Sequence, residues 1–318
     1  MIPALVHLQF SPYLDVAART SAGANPATQL ENQDNFLTID GEGRAAFMRE
    51  QEPEHQQVQG WVAGHIRLAV LDGMGGHGRG REAAEAVVAG LLQIPPCTSN
   101  AQLSAHLDRL HAQLQEEFAG GDTDKRPGTT LTLLEIPPGQ APMLYHVGDS
   151  RLYEITPQRV LPLTVDHVPA TAFAMAGVLD EQEWWQQVHG EHRSQICQAF
   201  ILGNAFADPS RLSDPLFELT PQTLPPFLRH LPDRRAIELR ADSVYVLATD
   251  GFWSCAQPHL WISRWPALVA RGSNAGAMAD LLFDEITNRP PPALHIDNLT
   301  AIVLRPLAGV DIADNTYA

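Results

Sequence analysis

Five aspartates sit where apolar runs begin or end, and that placement restricts the fold more than any other feature of the chain. Asp72 follows Leu68-Ala69-Val70-Leu71, Asp149 follows Tyr145-His146-Val147-Gly148, and Asp250 follows Val246-Leu247-Ala248-Thr249. Asp34 precedes Phe36-Leu37, and Asp297 precedes Leu299-Thr300-Ala301-Ile302-Val303. A residue at one strand's end meets a residue at another's start only if the strands are antiparallel. The pattern therefore predicts antiparallel sheets with five carboxylates gathered at one edge. A lone aspartate beside a turn is an ordinary cap. Five at strand edges, three of them in Asp-Gly or Gly-Asp pairs, are not explained that way.

Clustered carboxylates cannot all stay ionised without a compensating charge. Divalent oxygen-seeking ions supply it, and sparse, partly water-filled carboxylate coordination suits Mg²⁺ and Mn²⁺. Two such ions roughly 3.5–4 Å apart can acidify a water and aim it at phosphorus. Gly73-Met74-Gly75 after Asp72 leaves backbone bare enough for close approach.

The 318 residues suffice for a large core. A formal charge of -16 argues against general nucleic-acid binding. Three widely spaced cysteines, Cys97, Cys197 and Cys255, fit free thiols in a reducing compartment. With no bilayer-length apolar run and no basic-then-apolar leader, the expectation is a soluble cytoplasmic protein without a membrane span.

Along the chain, strand-like patterns cover Val6 to Thr20, Phe36 to Ile39, Ile66 to Leu71, Thr129 to Ile136, Met143 to Val147 and Arg151 to Ile155. Further strands are expected at Ile237 to Leu239, Val244 to Ala248 and Leu299 to Leu304. Helical spacing marks Arg81 to Leu92, Leu103 to Leu114, Leu260 to Ala270 and Ala275 to Ile286. The polar stretch 41–64 has no clear period and reads as a surface loop insertion. The region from Asp166 to Arg211 reads as helical and irregular, with Trp184-Trp185 as packing residues.

Seven motifs in sequence order resemble those of the type 2C metal-dependent serine/threonine phosphatases (PPM), bacterial branch. They are Glu31-Asn32-Gln33-Asp34, Asp72-Gly73-Met74-Gly75-Gly76-His77, Gly128-Thr129-Thr130, Gly148-Asp149-Ser150-Arg151, Leu163-Thr164-Val165-Asp166-His167, Thr249-Asp250-Gly251-Phe252-Trp253 and Asp297-Asn298-Leu299-Thr300. The match runs from about Val6 to Leu304.

The resemblance implies one α+β domain over 1–318, an α-β-β-α sandwich of two antiparallel sheets flanked by helix pairs, with a flap at about 166–211. It implies two Mn²⁺ or Mg²⁺ ions and direct attack of water on phosphoserine or phosphothreonine. Asp72 would bridge the ions, the Gly73 carbonyl would complete the second, and Asp250 and Asp297 would hold the first. Asp149, with Asp250, would take a third, weaker ion, and Asp34 would orient water. Partners would be phosphorylated proteins and a cognate serine/threonine kinase.

Departures bear on phosphate binding. The motif's usual phosphate-contacting arginine is Gln29 here, and a neutral amide lacks the guanidinium fork. Arg19 and Arg79 are candidate replacements. Ser254 stands where some relatives carry another acidic ligand. Gln29 also motivates the alternative of a weakly active phosphatase-like module that binds phosphoproteins or a kinase. Gly73 to Gly78 fits G-x-G-x-x-G spacing, but an aspartate at the turn argues against a dinucleotide. No cysteine has an arginine six positions on, as a cysteine phosphatase requires.

Overall fold

The computed structural model describes residues 8–10, 12–23, 31–75, 79–119, 126–191, 195–206 and 215–307. In chain order the first strands are β1 (Leu14–Ser21), β2 (Asn35–Ile39), β3 (Arg44–Arg49), β4 (Glu52–Gln57), β5 (Ile66–Leu71) and β6 (Gly73–Met74). Helices α1 (Arg79–Leu91) and α2 (Asn100–Glu117) follow. Next come β7 (Gly128–Thr129), β8 (Leu131–Ile136), β9 (Met143–Val147), β10 (Arg151–Ile155) and β11 (Val160–Pro162). After α3 (Pro169–Met175) and α4 (Glu181–Trp185) stand β12 (Gln198–Ala199), β13 (Gly203–Asn204), β14 (Arg234–Ala236) and β15 (Val244–Ala248). The last elements are α5 (Pro258–Ile262), α6 (Trp265–Val269), α7 (Ala275–Asn288) and β16 (Leu299–Pro306).

Two antiparallel sheets carry the architecture, one of seven strands ordered β14-β9-β8-β5-β2-β3-β4 and one of five ordered β1-β16-β15-β10-β11. Alternation along each strand sends side chains to opposite faces. Phe36, Leu68, Val70, Leu134 and Leu144 of the larger sheet meet Leu152, Tyr245, Leu247 and Ile302 of the smaller in a buried layer. The outer face of the larger sheet, with Leu37, Ala69, Leu71 and Leu133, packs on Val87, Leu91, Leu107 and Leu114 of α1 and α2. The outer face of the smaller packs on Trp261, Trp265, Leu282 and Ile286 of α5 to α7. This is the expected α-β-β-α sandwich. No helix among the described residues is long and apolar enough to cross a membrane.

Several expectations need correction. The stretch 41–64 is not a loop: β3 and β4 form a hairpin that extends the larger sheet. Its turn residues Glu50 and Gln51 both have positive φ, 49° and 68°, the geometry usually written Asn-Gly. Strand β4 lies at the sheet edge with polar side chains on both faces, so it shows no alternation, and the edge tolerates Pro53. The strand expected at Ile237 to Leu239 lies three residues earlier. Arg234 pairs with Tyr145 there and lies over its ring at 4.8 Å. Leu260 to Ala270 divides into α5 and α6, with Pro266 in the first turn of the second helix. The first strand starts at Leu14, and positions 6, 7 and 11 of the expected span lie outside the described residues. Trp184 is buried and donates Nε1–H to Thr171 Oγ1 at 3.1 Å, whereas Trp185 is 43% exposed over His189.

Candidate metal centre

The register of the strands sets the site. Asn35 pairs with Leu71, so Asp34 before β2 and Asp72 after β5 reach the same edge of the larger sheet. Arg151 pairs with Ala248, and Ala248 with Ala301. Asp149 before β10, Asp250 after β15 and Asp297 before β16 therefore reach the matching edge of the smaller sheet. The turn Gly148-Asp149-Ser150 is where the chain leaves one sheet for the other, since β9 and β10 belong to different sheets. The five carboxylates straddle the seam between the sheets.

Local bonds fix the carriers of these groups. Asp34 Oδ2 accepts from Thr249 Oγ1 at 2.7 Å, joining the two sheets directly. The Asp72 amide donates to Thr130 Oγ1 at 2.9 Å, and the Thr130 amide returns a bond to the Asp72 carbonyl at 2.9 Å. Thr130 Oγ1 lies 2.6 Å from Ser150 Oγ, beside Asp149. Gln33 donates its amide to Asn298 Oδ1 at 2.7 Å, next to Asp297. Gly73 must be glycine because a Cβ there would lie 2.3 Å from the Gly80 carbonyl and 2.4 Å from that of Gln33.

Burial pushes Asp34, Asp72 and Asp149 well above the usual carboxylate range and raises Asp250 too. After burial, repulsion from Asp34, Asp250, Asp149 and Asp297 adds to the rise at Asp72. A hydrogen bond with Asp72 partly offsets the rise at Asp250. Burial and mutual repulsion both favour the neutral forms of these carboxylates unless a cation stands among them.

A divalent ion fits this donor set. All the side-chain donors are hard oxygens. Among the described residues no group of three or more His, Cys, Asp or Glu side chains stands ready to hold an ion as the side chains lie here. Carboxylate and carbonyl oxygens are nonetheless the donor type that Mg²⁺ and Mn²⁺ take.

The nearby arginines are committed elsewhere. Arg151 is buried, donates Nε and Nη2 to Asp166 at 2.7–3.0 Å, and reaches Tyr153 Oη at 2.8 Å and the Val188 carbonyl at 2.7 Å. Its guanidinium lies 4.7 Å from the Trp253 ring, and its charge lowers Asp149 and Asp250. A cavity of about 90 Å³ lies between Asp149, Asp166, Phe173, Gln195 and Trp253.

Arg19 and Arg79, the candidate phosphate contacts, are bonded to other partners in this structure. Arg19 turns to α7, where Nε meets Asp280 at 2.7 Å. Arg79 lies over the Phe118 ring at 5.3 Å and beside Glu82 at 3.4 Å. Gln29, with residues 76–78 of the glycine-rich turn, lies outside the described residues. The hydroxyls of Thr130, Ser150 and Thr249 were not expected as supports. Their only sequence signal is adjacency to the aspartate motifs. Burial lifts the Cys97 and Cys197 thiols to about 11, which disfavours the thiolate form at neutral pH. Gly73 and Met74 pair with Thr129 and Gly128 as a short antiparallel ladder, so this segment is not a dinucleotide loop.

No family model matches the chain. Over 127 residues the chain is 32% identical to protein phosphatase PhpP of Streptococcus pneumoniae, covering 38% of this chain and 51% of that protein. The chain thus spans about half the length of the curated relatives it matches. The serine/threonine phosphatase of S. agalactiae superposes with a TM-score of 0.63 at 19% identity, covering 92% of this chain and 100% of that one. The Mycobacterium tuberculosis phosphatase PstP/Ppp gives 0.60 at 21%, covering 93% and 99%. The PstP catalytic domain in complex with 2 manganese ions gives 0.57 at 21% over the same shares.

Proposed function

Because the chain has the fold of the bacterial PPM serine/threonine phosphatases and shares sequence with PhpP, we propose that it is a metal-dependent serine/threonine protein phosphatase. The observation that carries the proposal is the convergence of Asp34, Asp72, Asp149, Asp250 and Asp297 across the sheet seam. Asp72, the Gly73 carbonyl, Asp250 and Asp297 would hold two Mn²⁺ or Mg²⁺ ions, and Asp149 with Asp250 would hold a third more weakly. When bound, the ions neutralise the array and supply a water acidic enough to attack phosphorus.

The chain's own residues do the rest. Asp34, clamped by Thr249, orients the attacking water and accepts its proton. Gly73 permits the close approach of its backbone to Gly80 and Gln33, and its carbonyl would complete the second ion's ligands. Arg151 holds Asp166 against the Asp149 side and tempers the repulsion there. Gln29 is the proposed phosphate contact. Phosphorylated proteins are the substrates, and a cytoplasmic serine/threonine kinase is the opposing partner.

Hydrolysis of a phosphothreonine peptide, measured with Mn²⁺, with Mg²⁺ and with a chelator, tests this reading. Turnover is expected only with metal, and Asp250→Asn should abolish it while the far-ultraviolet spectrum is retained. Full activity in the chelator, or in Asp250→Asn, would overturn it. Tight metal binding without turnover would instead favour a phosphoprotein-binding module.

A further inference from the structure

The motif Leu163 to His167 supplies Asp166 to Arg151, but its histidine has no part in the chemistry above. We infer that His167 is a positioning residue that couples the β12–β13 hairpin to the turn carrying Asp149. What that turn does rests on the phosphatase reading; the coupling itself does not.

His167 is fully buried, and its backbone and Nδ1 are hydrogen-bonded. Its amide donates to the Gly148 carbonyl at 2.8 Å, and its carbonyl accepts from the Cys197 amide at 2.6 Å. The ring nitrogen Nδ1 accepts from the Gly148 amide at 3.1 Å and from Gln198 Nε2 at 3.0 Å. Both partners can only donate, so Nδ1 carries no hydrogen and the ring proton sits on Nε2. Nε2 faces Asp233 Oδ2 at 3.4 Å. One ring atom thus receives the turn from one side and the hairpin from the other.

The turn cannot absorb a displacement. Gly148 has φ +110°, and a Cβ there would lie 2.6 Å from Thr130 Cγ2, so the backbone is already in contact with Thr130. Beyond Gly148 the path continues through Ser150 and Thr130 to the Asp72 amide. A second tie runs in parallel. The Phe200 and Thr129 amides exchange bonds with each other's carbonyls at 2.9 and 3.2 Å, and Thr129 pairs with Gly73. The hairpin therefore grips both the Asp149 turn and the Asp72-Gly73 corner. Gln198 holds it to the chain beyond by taking the Phe217 amide at 2.6 Å and giving Nε2–H to the Phe217 carbonyl at 2.9 Å.

A histidine that merely filled space would be replaceable by leucine and poorly replaced by asparagine. A positioning histidine requires the reverse, since the asparagine Oδ1 can accept where Nδ1 did. Amide hydrogen exchange of the full chain separates the two without relying on catalysis. His167→Leu should speed exchange at Phe200, and Gln198→Met should speed it at Gly148, each about fivefold, the worth of one buried bond. His167→Asn should stay within about twofold of the original chain at both positions. Unchanged exchange at Gly148 in Gln198→Met, or protection in His167→Leu equal to that of the original chain, would overturn the coupling. Should His167→Leu fail to fold, Gln198→Met carries the test alone. In parallel, manganese titrations followed by calorimetry should show weaker binding in His167→Leu and recovery in His167→Asn. An original chain without phosphatase activity would overturn the proposed function and leave the exchange result standing.

Discussion

Arg151→Met removes the cation from a pair in which both side chains are almost fully buried, 2% exposed for Arg151 and 4% for Asp166. The guanidinium makes three contacts of 2.7–3.0 Å to that carboxylate. Removing one member of a buried pair costs about 3–5 kcal/mol, because the other is left uncompensated. The lost contact with the Trp253 ring adds about 1 kcal/mol. At roughly 2 °C per kcal/mol for a chain of this size, thermal unfolding should fall by about 8–12 °C. The loss should depend on pH in a definite sense. Burial already lifts Asp166 above its ordinary value, with Arg151 opposing. Without Arg151 the folded protein keeps that proton while the unfolded chain releases it near pH 4, so the deficit grows from acid to neutral pH. Arg151→Met/Asp166→Leu removes both charges and should be less destabilised than Arg151→Met alone. Calorimetric melting of the original chain, Arg151→Met, Asp166→Leu and the double variant at pH 5 and pH 8 checks this. A double variant as unstable as the sum of the singles, or a single variant within about 1 kcal/mol of the original chain, would refute the reasoning.

Mn²⁺ at about one hundred times its dissociation constant should stabilise the fold by about 2.7 kcal/mol, seen as a raised melting temperature that Asp250→Asn abolishes. Thr249→Val strips Asp34 of its 2.7 Å bond and should cost about 1–3 kcal/mol in urea unfolding; steady-state kinetics should show kcat falling more than KM. Burial raises Asp233 to about 7 from an ordinary value of 3.8. Between those values the unfolded chain releases its proton and the folded one does not, so stability there falls as pH rises; Asp233→Asn should flatten that slope in melting curves recorded from pH 4 to pH 8.

The aspartate edges were legible because each joined two signals, an apolar run of strand length and a charge that cannot remain inside it. Antiparallel direction followed from which end carried the charge, and the pairing of Asn35 with Leu71 and Arg151 with Ala248 agrees. Strand β4 was not legible because an edge strand wet on both faces has no period, β3 because its buried Ala45-Ala46-Phe47 is too short a run to show one, and Glu50-Gln51 is not the usual spelling of their turn. Arg19 and Arg79 were candidates for the phosphate contact, and nothing in the sequence set the direction of their side chains; here Arg19 bonds to α7 and Arg79 lies against the end of α2. The supporting threonines were silent for another reason. Thr130 and Thr249 sit beside strands, where threonine is ordinary, and only the tertiary fold shows where their hydroxyls point.

The seam between the sheets has a consequence for the protein's lifetime. Asp34 and Asp72 belong to one sheet and Asp250 and Asp297 to the other, so under the proposed assignment an ion shared by Asp72 and Asp250 rivets the two halves together. The far end stays shut by its apolar layer whatever the ionic conditions. On that assignment divalent supply would govern how often the near end opens to proteases, and scarcity of the ion would lower the amount of the folded protein.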